Sequence, residues 1–530
     1  MKVSDCIIKC LEAEGVEYVF GIVGTETLDL AESLSKSNQI QYVNVRHEQG
    51  AAFMADVYGR LAKKAGVCLS TLGPGATNLV TGLASAQLDH SPVVALMGQA
   101  DVERNHDESH QYLDIVTLCE PVTKWSTQIK ESLAVPTVIR KAFRLAQMEK
   151  PGSVAVVLPE NFLTQDIAGH PLPVSPLPET VAAAETIQAA CTLIQNRKKP
   201  FIVIGNGVVR QDAVPELQTF INTLKVPVTH SFMAKGILEK EHPSNYFTFG
   251  FNENDEVLPG LEEADLLITI GYDFVEKLPK HWNKKKLPVL HIDTLSAEVN
   301  EYYPVEVECV GSMKKILESL NQSGLPAKSW APFGNLRERI MKEYQLISSQ
   351  PETSQNKHFT IEEILHSIEK IAEDNTIVVS DVGAHKVSIA RTYQPQRPNR
   401  LIVSNGLASM GIAIPGSIGA KLACPQDPVI CITGDGGALM NIAEIETAKR
   451  LGLTFIIIVL NDSKLKLEVQ QMNKLFGESY GVTFENPDFV QLAASFGIKG
   501  MKARTMDEFD TIFKGALTAM DEIILIEAMM

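Results

Sequence analysis

Residues 433–441 read TGDGGALMN, an aspartate set among glycines, and Asn461 follows 26 residues after Asp435. The run Val429–Thr433 predicts a buried strand and Gly434-Asp435-Gly436-Gly437 a turn. Asn441–Arg450 then predicts a helix, and Thr454–Leu460 the next strand. That is one β-α-β unit of the ~30-residue size such units have. The crossover is right-handed and its strands parallel, so Asp435 and Asn461 emerge at carboxyl strand ends, where ligands bind. A carboxylate, an amide oxygen and a backbone carbonyl make an oxygen-only set. It carries too little charge to cage Ca²⁺ and suits Mg²⁺, which takes one or two carboxylates with phosphate oxygens and water. Glycines let backbone N–H groups approach a phosphate beside a helix start. The spacing therefore predicts Mg²⁺ bridging protein to a diphosphate. A purely structural glycine turn is the alternative reading.

The elements that position these residues follow from the rest of the chain. At 530 residues with 45% hydrophobic content, it is too long for one core. Short β-branched runs alternate with helical patterns, which predicts α/β architecture: three doubly wound, parallel-sheet domains. The first spans residues 1–166, with strands at Tyr18–Phe20, Gln41–Val45, Val67–Ser70, Val93–Met97 and Val154–Leu158. Its leading MKVSDCIIKCLEAEG predicts an amphipathic helix capped by Ser4 or Asp5. AGHPLPVSPLPET reads as an extended linker. The second domain, 180–320, carries PFIVIGNGV, ADLLITIG and LPVLHID; its Gly205-Asn206-Gly207 turn does not complete a dinucleotide fingerprint. A polar stretch from Asn321 to Lys357 leads to the third domain, 358–530, and the two outer blocks show a loose symmetry.

The net charge of −16, without a long Lys/Arg run, argues against nucleic-acid binding. Eight scattered cysteines form no CxxC pair, which argues against a zinc or redox site and fits a reducing, cytoplasmic compartment. No apolar run reaches the ~18 residues of a membrane span, and the N-terminus lacks a signal-peptide pattern.

With RHEQGAAFMADVYGR in the first block, and SNGLASMGIAIPG and DVGAHK in the third, the chain resembles thiamine-diphosphate (ThDP) dependent 2-oxoacid decarboxylases and carboligases. TLGPGATNLVTGLASAQLD, SPVVALMGQ and SHQYLDIV bring it nearest to acetolactate synthases of the FAD-free, catabolic-like type. The resemblance implies the ThDP-enzyme fold, with pyrimidine-binding, central and diphosphate-binding domains. It implies Asp435, Asn461 and the Ser463 carbonyl as Mg²⁺ ligands, and His385 with Gly434, Gly436 and Gly437 around the diphosphate. Met410 would lie beneath the bend of the cofactor. Glu48 would press its carboxyl on the cofactor's aminopyrimidine and promote loss of the proton that activates it. On its own residues, Glu48 beside His47 reads more simply as a capping carboxylate. Gly24, His110 and Gln111 would lie near the reacting carbon. The implied reaction decarboxylates pyruvate and joins the two-carbon unit to a second pyruvate, giving 2-acetolactate. The implied assembly is a homodimer or homotetramer with the site between subunits.

Three departures stand out. Glu26 occupies a place where many FAD-free members carry lysine. Lys464, Lys466 and Glu468 occupy a helix that the family keeps more apolar on its pocket side; they face either solvent or the pocket. The sequence ends at IILIEAMM, where the family usually carries a tail that helps close the site. A different acyl donor or acceptor is the alternative these departures leave open.

Overall fold

A computed structural model describes residues 1–251, 255–348, 360–519 and 521–530. The strands of the first sheet are β1 (Tyr18–Gly21), β2 (Gln41–Asn44), β3 (Gly66–Ser70), β4 (Val93–Gln99), β5 (Trp125–Gln128) and β6 (Ser153–Pro159). The second sheet contains β7 (Pro200–Ile204), β8 (Val228–His230), β9 (Asn245–Thr248), β10 (Leu266–Ile270), β11 (Val289–Asp293) and β12 (Val305–Val310). The third contains β13 (Ile377–Ser380), β14 (Leu401–Val403), β15 (Val429–Gly434), β16 (Ile456–Asn461), β17 (Lys499–Ala503) and β18 (Ile524–Met529). Neighbouring strands within each sheet pair in parallel. The central strands are apolar on both faces, as parallel sheets covered by helices require.

The outer sheets share one topology. Their orders are β2-β1-β3-β4-β6-β5 and β14-β13-β15-β16-β18-β17, so the loose symmetry is a common strand order. Chain direction across the sheet reverses between β1 and β3, and again between β13 and β15. Such switch points open a crevice at the carboxyl ends of the strands. The central sheet has a different order, β12-β11-β10-β7-β8-β9, reversing between β7 and β10. There the GNG turn serves packing. A side chain on Gly205 or Gly207 would overlap the backbone of Gly271, which itself sits at φ +59.

Three local expectations change. The first helix, Val3–Ala13, begins before Ser4, with Lys2 at its cap and no capping side chain; Ser4 is buried against the Ser33 hydroxyl, 2.9 Å away, and Asp5 accepts from it at 2.8 Å. The strand β5 was not visible in WSTQ, which is half-buried and mostly polar. The polar stretch after residue 321 contains the helix Leu336–Ser348; residues 349–359 lie outside the described residues. Among the described residues no helix is long and apolar enough to cross a membrane.

The first and third units share a hydrophobic core. The helix Glu48–Ala62 crosses the helix Ala413–Ala423 so closely that a side chain on Gly419 would strike the Met54 carbonyl. Buried Glu444 ties this contact to the backbone, accepting from Arg46 N and His47 N at 3.0 Å each. The central unit joins them at a polar junction. Asp273 pairs with His90 at 2.6 Å and Lys150 at 2.7 Å, and the Asn405 amide donates to the Glu276 carbonyl.

Glu276 gives this junction a pH dependence. Its Oε2 is enclosed without a partner among the described residues, and burial pushes the carboxyl up from 4.5 to about 8. Between those values the folded chain holds a proton that the unfolded chain has released, so this group's contribution to stability falls as pH rises through the window. Glu276→Gln is expected to melt about 2 °C above the native protein at pH 8.5 and to flatten the melting-temperature profile from pH 6 to 9. Calorimetry across that range checks it; an unchanged slope would mean that the carboxyl ionises freely.

Candidate active site

A cavity of about 680 Å³ opens at the switch point of the third sheet, and the described residues lining it all lie between 360 and 530. From β13 come Val382, Gly383, Ala384 and His385; from β15 come Gly434, Asp435, Gly436 and Gly437; from beyond β16 come Asp462, Lys464, Leu465, Lys466 and Glu468. Lys464, Lys466 and Glu468 thus border the cavity rather than facing solvent alone. Met410 and Met530 complete this part of the wall.

The GDG segment is tighter than the expected turn. Gly434 is the extended N-cap and Asp435 already begins the helix Asp435–Asn441; a second helix, Glu444–Arg450, follows. A side chain at Gly437 would meet the Asp381 carboxylate at 3.0 Å, and one at Gly434 would meet the His385 ring at 3.3 Å. One at Gly436 would meet only ordinary contacts, the nearest at 3.4 Å, so nothing among the described residues forbids it there. The bare backbone leaves room for a ligand.

The predicted ligand residues converge. Asp435 Oδ1 accepts from Gly436 N at 2.7 Å; its Oδ2 accepts from Asp462 N at 3.1 Å and Ser463 N at 2.6 Å. Asn461 donates from Nδ2 to Glu527 Oε1 at 2.8 Å. A carboxylate oxygen only accepts, so this bond fixes the amide with Oδ1 turned toward Asp435 and Ser463. Lys502 neutralises buried Glu527 at 2.8 Å. Ser463 stands at φ +57, and its carbonyl accepts from Phe484 N at 3.1 Å, leaving one lone pair.

Sequence reading missed this supporting set. Glu527 is visible in retrospect as the one charge within the apolar strand ILIEAM. Asp381 is visible as a carboxylate at the end of a strand, in VVSDVG. It is fully buried; burial raises its carboxyl, opposed by N–H groups of Val382, Gly411 and Ala413 and by the Thr433 hydroxyl. Through Gly411 N at 2.8 Å it pins the loop that carries Met410, and Asn441 Nδ2 holds the Gly411 carbonyl at 2.8 Å. Met410 Cε thereby lies 3.6 Å from where a Gly436 side chain would begin.

His385 is neutral, since burial pushes its imidazole down to about 4. Its Nε2 is buried at the cavity wall without a partner among the described residues. An orphaned ring nitrogen, an uncovered glycine backbone and a set of oriented oxygens fit a cation–diphosphate group. Glu527→Gln would let the Asn461 amide turn either way. It is expected to raise the Mg²⁺ concentration needed for half-activation about tenfold, without loss of maximal activity at saturating Mg²⁺. An unchanged Mg²⁺ requirement would remove Glu527 from this role.

The other predicted residues assemble at the switch point of the first sheet. Glu48 opens the helix Glu48–Ala62, but the cap is His47, whose Nδ1 accepts from Gln49 N at 3.1 Å. The Glu48 carboxylate turns away from the helix amides, accepts from Asn78 Nδ2 at 2.9 Å and is buried. The capping reading therefore does not hold. A side chain at Gly75 would lie 3.0 Å from Thr71 and 3.4 Å from Glu48 Oε1; one at Gly24 would overlap Thr71. The Thr71 hydroxyl donates to Glu26 at 2.6 Å. Gln111, at φ +59, stands against Gly73, and Arg104 holds the His110 carbonyl at 2.6 Å. Gly24, Glu26, Glu48 and Gln111 thus surround the Thr71–Gly75 turn. None of them lines the cavity of the third unit, so the predicted residues fall into two separate groups within one chain.

Known proteins share this organisation. Residues 1–118 match the "Thiamine pyrophosphate enzyme, N-terminal TPP binding domain" family, 187–320 its central domain and 381–528 its C-terminal TPP binding domain. A "Probable acetolactate synthase large subunit" of Methanococcus aeolicus is 33% identical over 99% of this chain and 91% of its own length. The "Acetolactate synthase" of Bacillus subtilis is 30% identical over 98% and 92%. The "Acetolactate synthase isozyme 2 large subunit" of Escherichia coli is 31% identical over 96% and 92%.

Proposed function

Because the chain belongs to the thiamine pyrophosphate enzymes, and among them to the acetolactate synthase family, we propose that it decarboxylates pyruvate and adds the two-carbon unit to a second pyruvate, giving 2-acetolactate. The observation that carries the site assignment is the pair of half-sites at equivalent switch points of two sheets with the same strand order. Domain limits of 1–166, 180–320 and 358–530 go with this reading, as does a cytoplasmic setting.

In the third unit, Asp435, Asn461 and the Ser463 carbonyl hold Mg²⁺. The neutral His385 Nε2 and the backbone of Gly434, Gly436 and Gly437 hold the diphosphate, and Met410 supports the cofactor from below. When bound, ThDP supplies the electron sink for the carbanion left as CO₂ departs. Glu48 holds a proton at its carboxyl for the pyrimidine ring; Asn78 orients that carboxyl, and its burial limits access of water, which strengthens the bond. Since Glu48 and Asp435 do not share a cavity in one chain, the first unit of one copy must face the third unit of another. A dimer is thus the smallest active assembly. Gly24, His110 and Gln111 position the reactants beside Glu48. Glu26 adds a carboxylate there, while Lys464 and Lys466 add cations from the opposite wall, where a 2-oxoacid carboxylate finds its partner.

Incubation with pyruvate, ThDP and Mg²⁺ tests the reaction. Acetolactate, detected as acetoin after acid treatment, is the expected product. Acetaldehyde alone would identify a simple decarboxylase, and no pyruvate turnover would point to another acyl donor.

A further inference from the structure

The segment after the helix Lys466–Phe476 returns to the cation ligands. Leu465 N donates to the Val482 carbonyl at 2.8 Å, and Phe484 N to the Ser463 carbonyl at 3.1 Å, a short antiparallel pairing. It delivers Asn486 to the centre of the predicted ligand set. Asn486 Nδ2 lies 2.8 Å from Asp435 Oδ2, 2.9 Å from Asn461 Oδ1 and 3.4 Å from Ser463 Oγ. Three acceptors converge on one NH₂ group, and two of them are the side-chain oxygens assigned to the cation. The other end of the same amide, Oδ1, is buried without a partner among the described residues.

Asp435 Oδ2 already accepts three donors. A cation bonded to that oxygen requires one of them to leave. Asp462 N and Ser463 N are backbone groups fixed at the end of β16. The Asn486 amide needs only a half-turn about its last side-chain bond, a soft torsion. Its backbone stays fixed: Pro487 follows, and Asp488 caps the helix Phe489–Ser495 by accepting from Val490 N at 2.9 Å and Gln491 N at 3.0 Å. The half-turn removes the NH₂ group and brings the unpaired Oδ1 to the same place.

We propose that Asn486 is an additional member of the cation centre, a turning amide that spaces Asp435 and Asn461 with its NH₂ group and presents its Oδ1 to Mg²⁺. The inference rests on the assignment of Asp435 and Asn461 as cation ligands.

The test is Mn²⁺ binding to the full-length protein with saturating ThDP, free Mn²⁺ being read by electron paramagnetic resonance. Asn486→Ala is expected to weaken Mn²⁺ about tenfold. Asn486→Asp, which always presents oxygen and never NH₂, is expected to bind Mn²⁺ at least as tightly as the native protein. Its melting temperature without Mn²⁺ is expected to fall, because carboxylate then meets carboxylate, and to recover on adding Mn²⁺. Native affinity in Asn486→Ala would overturn the proposal. So would weaker binding in Asn486→Asp than in Asn486→Ala, which would make the amide a fixed donor. Asn486→Ser replaces the alanine variant if that one does not fold. Asp435→Ala separates the two levels: native Mn²⁺ affinity there would overturn the ligand assignment itself, whereas its loss beside unaffected Asn486 variants would overturn only the role of Asn486.

Discussion

Glu48→Gln is expected to lower kcat for pyruvate turnover about a thousandfold, the scale of a lost general acid–base group. Glutamine has nearly the same shape and still offers an oxygen to Asn78 Nδ2, so the 2.9 Å bond and the helix that begins at residue 48 are retained. What disappears is the carboxyl proposed to exchange a proton with the cofactor's pyrimidine. ThDP affinity should change less than tenfold, since the residues proposed to grip the diphosphate lie in the third unit. Stopped-flow proton exchange at the cofactor's reactive carbon, compared with steady-state kcat, checks the assignment. If exchange and turnover both stay at native rates, Glu48 is a structural carboxylate buried beside Asn78.

Asp435→Ala is expected to fail in a different way. It removes a carboxylate that organises Gly436 N, Asp462 N and Ser463 N, and with it the only anionic member of the proposed ligand set. Partners one shell out typically cost 10–100-fold in metal affinity, so loss of the charged ligand should weaken Mg²⁺-dependent ThDP binding at least about a hundredfold. Titration calorimetry of ThDP with and without Mg²⁺ measures it. The expected pattern is a large Mg²⁺-dependent loss and only a small change in its absence. Equal affinity for ThDP in the variant and native chains would place the diphosphate elsewhere.

The two variants draw on parts of the sequence that differ in legibility. Asp435 and Asn461 are readable as neighbours because one β-α-β unit forces their strand ends together, whatever the side chains do. β15 and β16 pair in parallel, Gly434 opposite Leu460. The parallel α/β layers are readable because buried strands such as VICIT and FIIIVL are continuous apolar runs. Glu48 is less so: its environment depends on Asn78 and Gly75, which arrive on a separate helix. The cap at Lys2, the edge strand WSTQ and the helix inside the polar stretch escape because their stability comes from tertiary contacts rather than local pattern. Asn486 escapes for the same reason. It lies 51 residues from Asp435 and reaches it through a two-bond pairing that no periodicity announces.

The separation of Glu48 from the third unit's cavity within one chain leads to the most direct measurement. Glu48→Gln and Asp435→Ala chains, each inactive alone, are to be co-expressed with different affinity tags, and the hybrid assemblies purified. If each site draws Glu48 from one copy and Asp435 from another, a hybrid dimer contains one site with both residues intact and one with neither. Its activity should return to roughly half that of the native dimer per assembly, as two-fold symmetry dictates. Hybrid dimers as inactive as their parents would contradict a site shared between subunits.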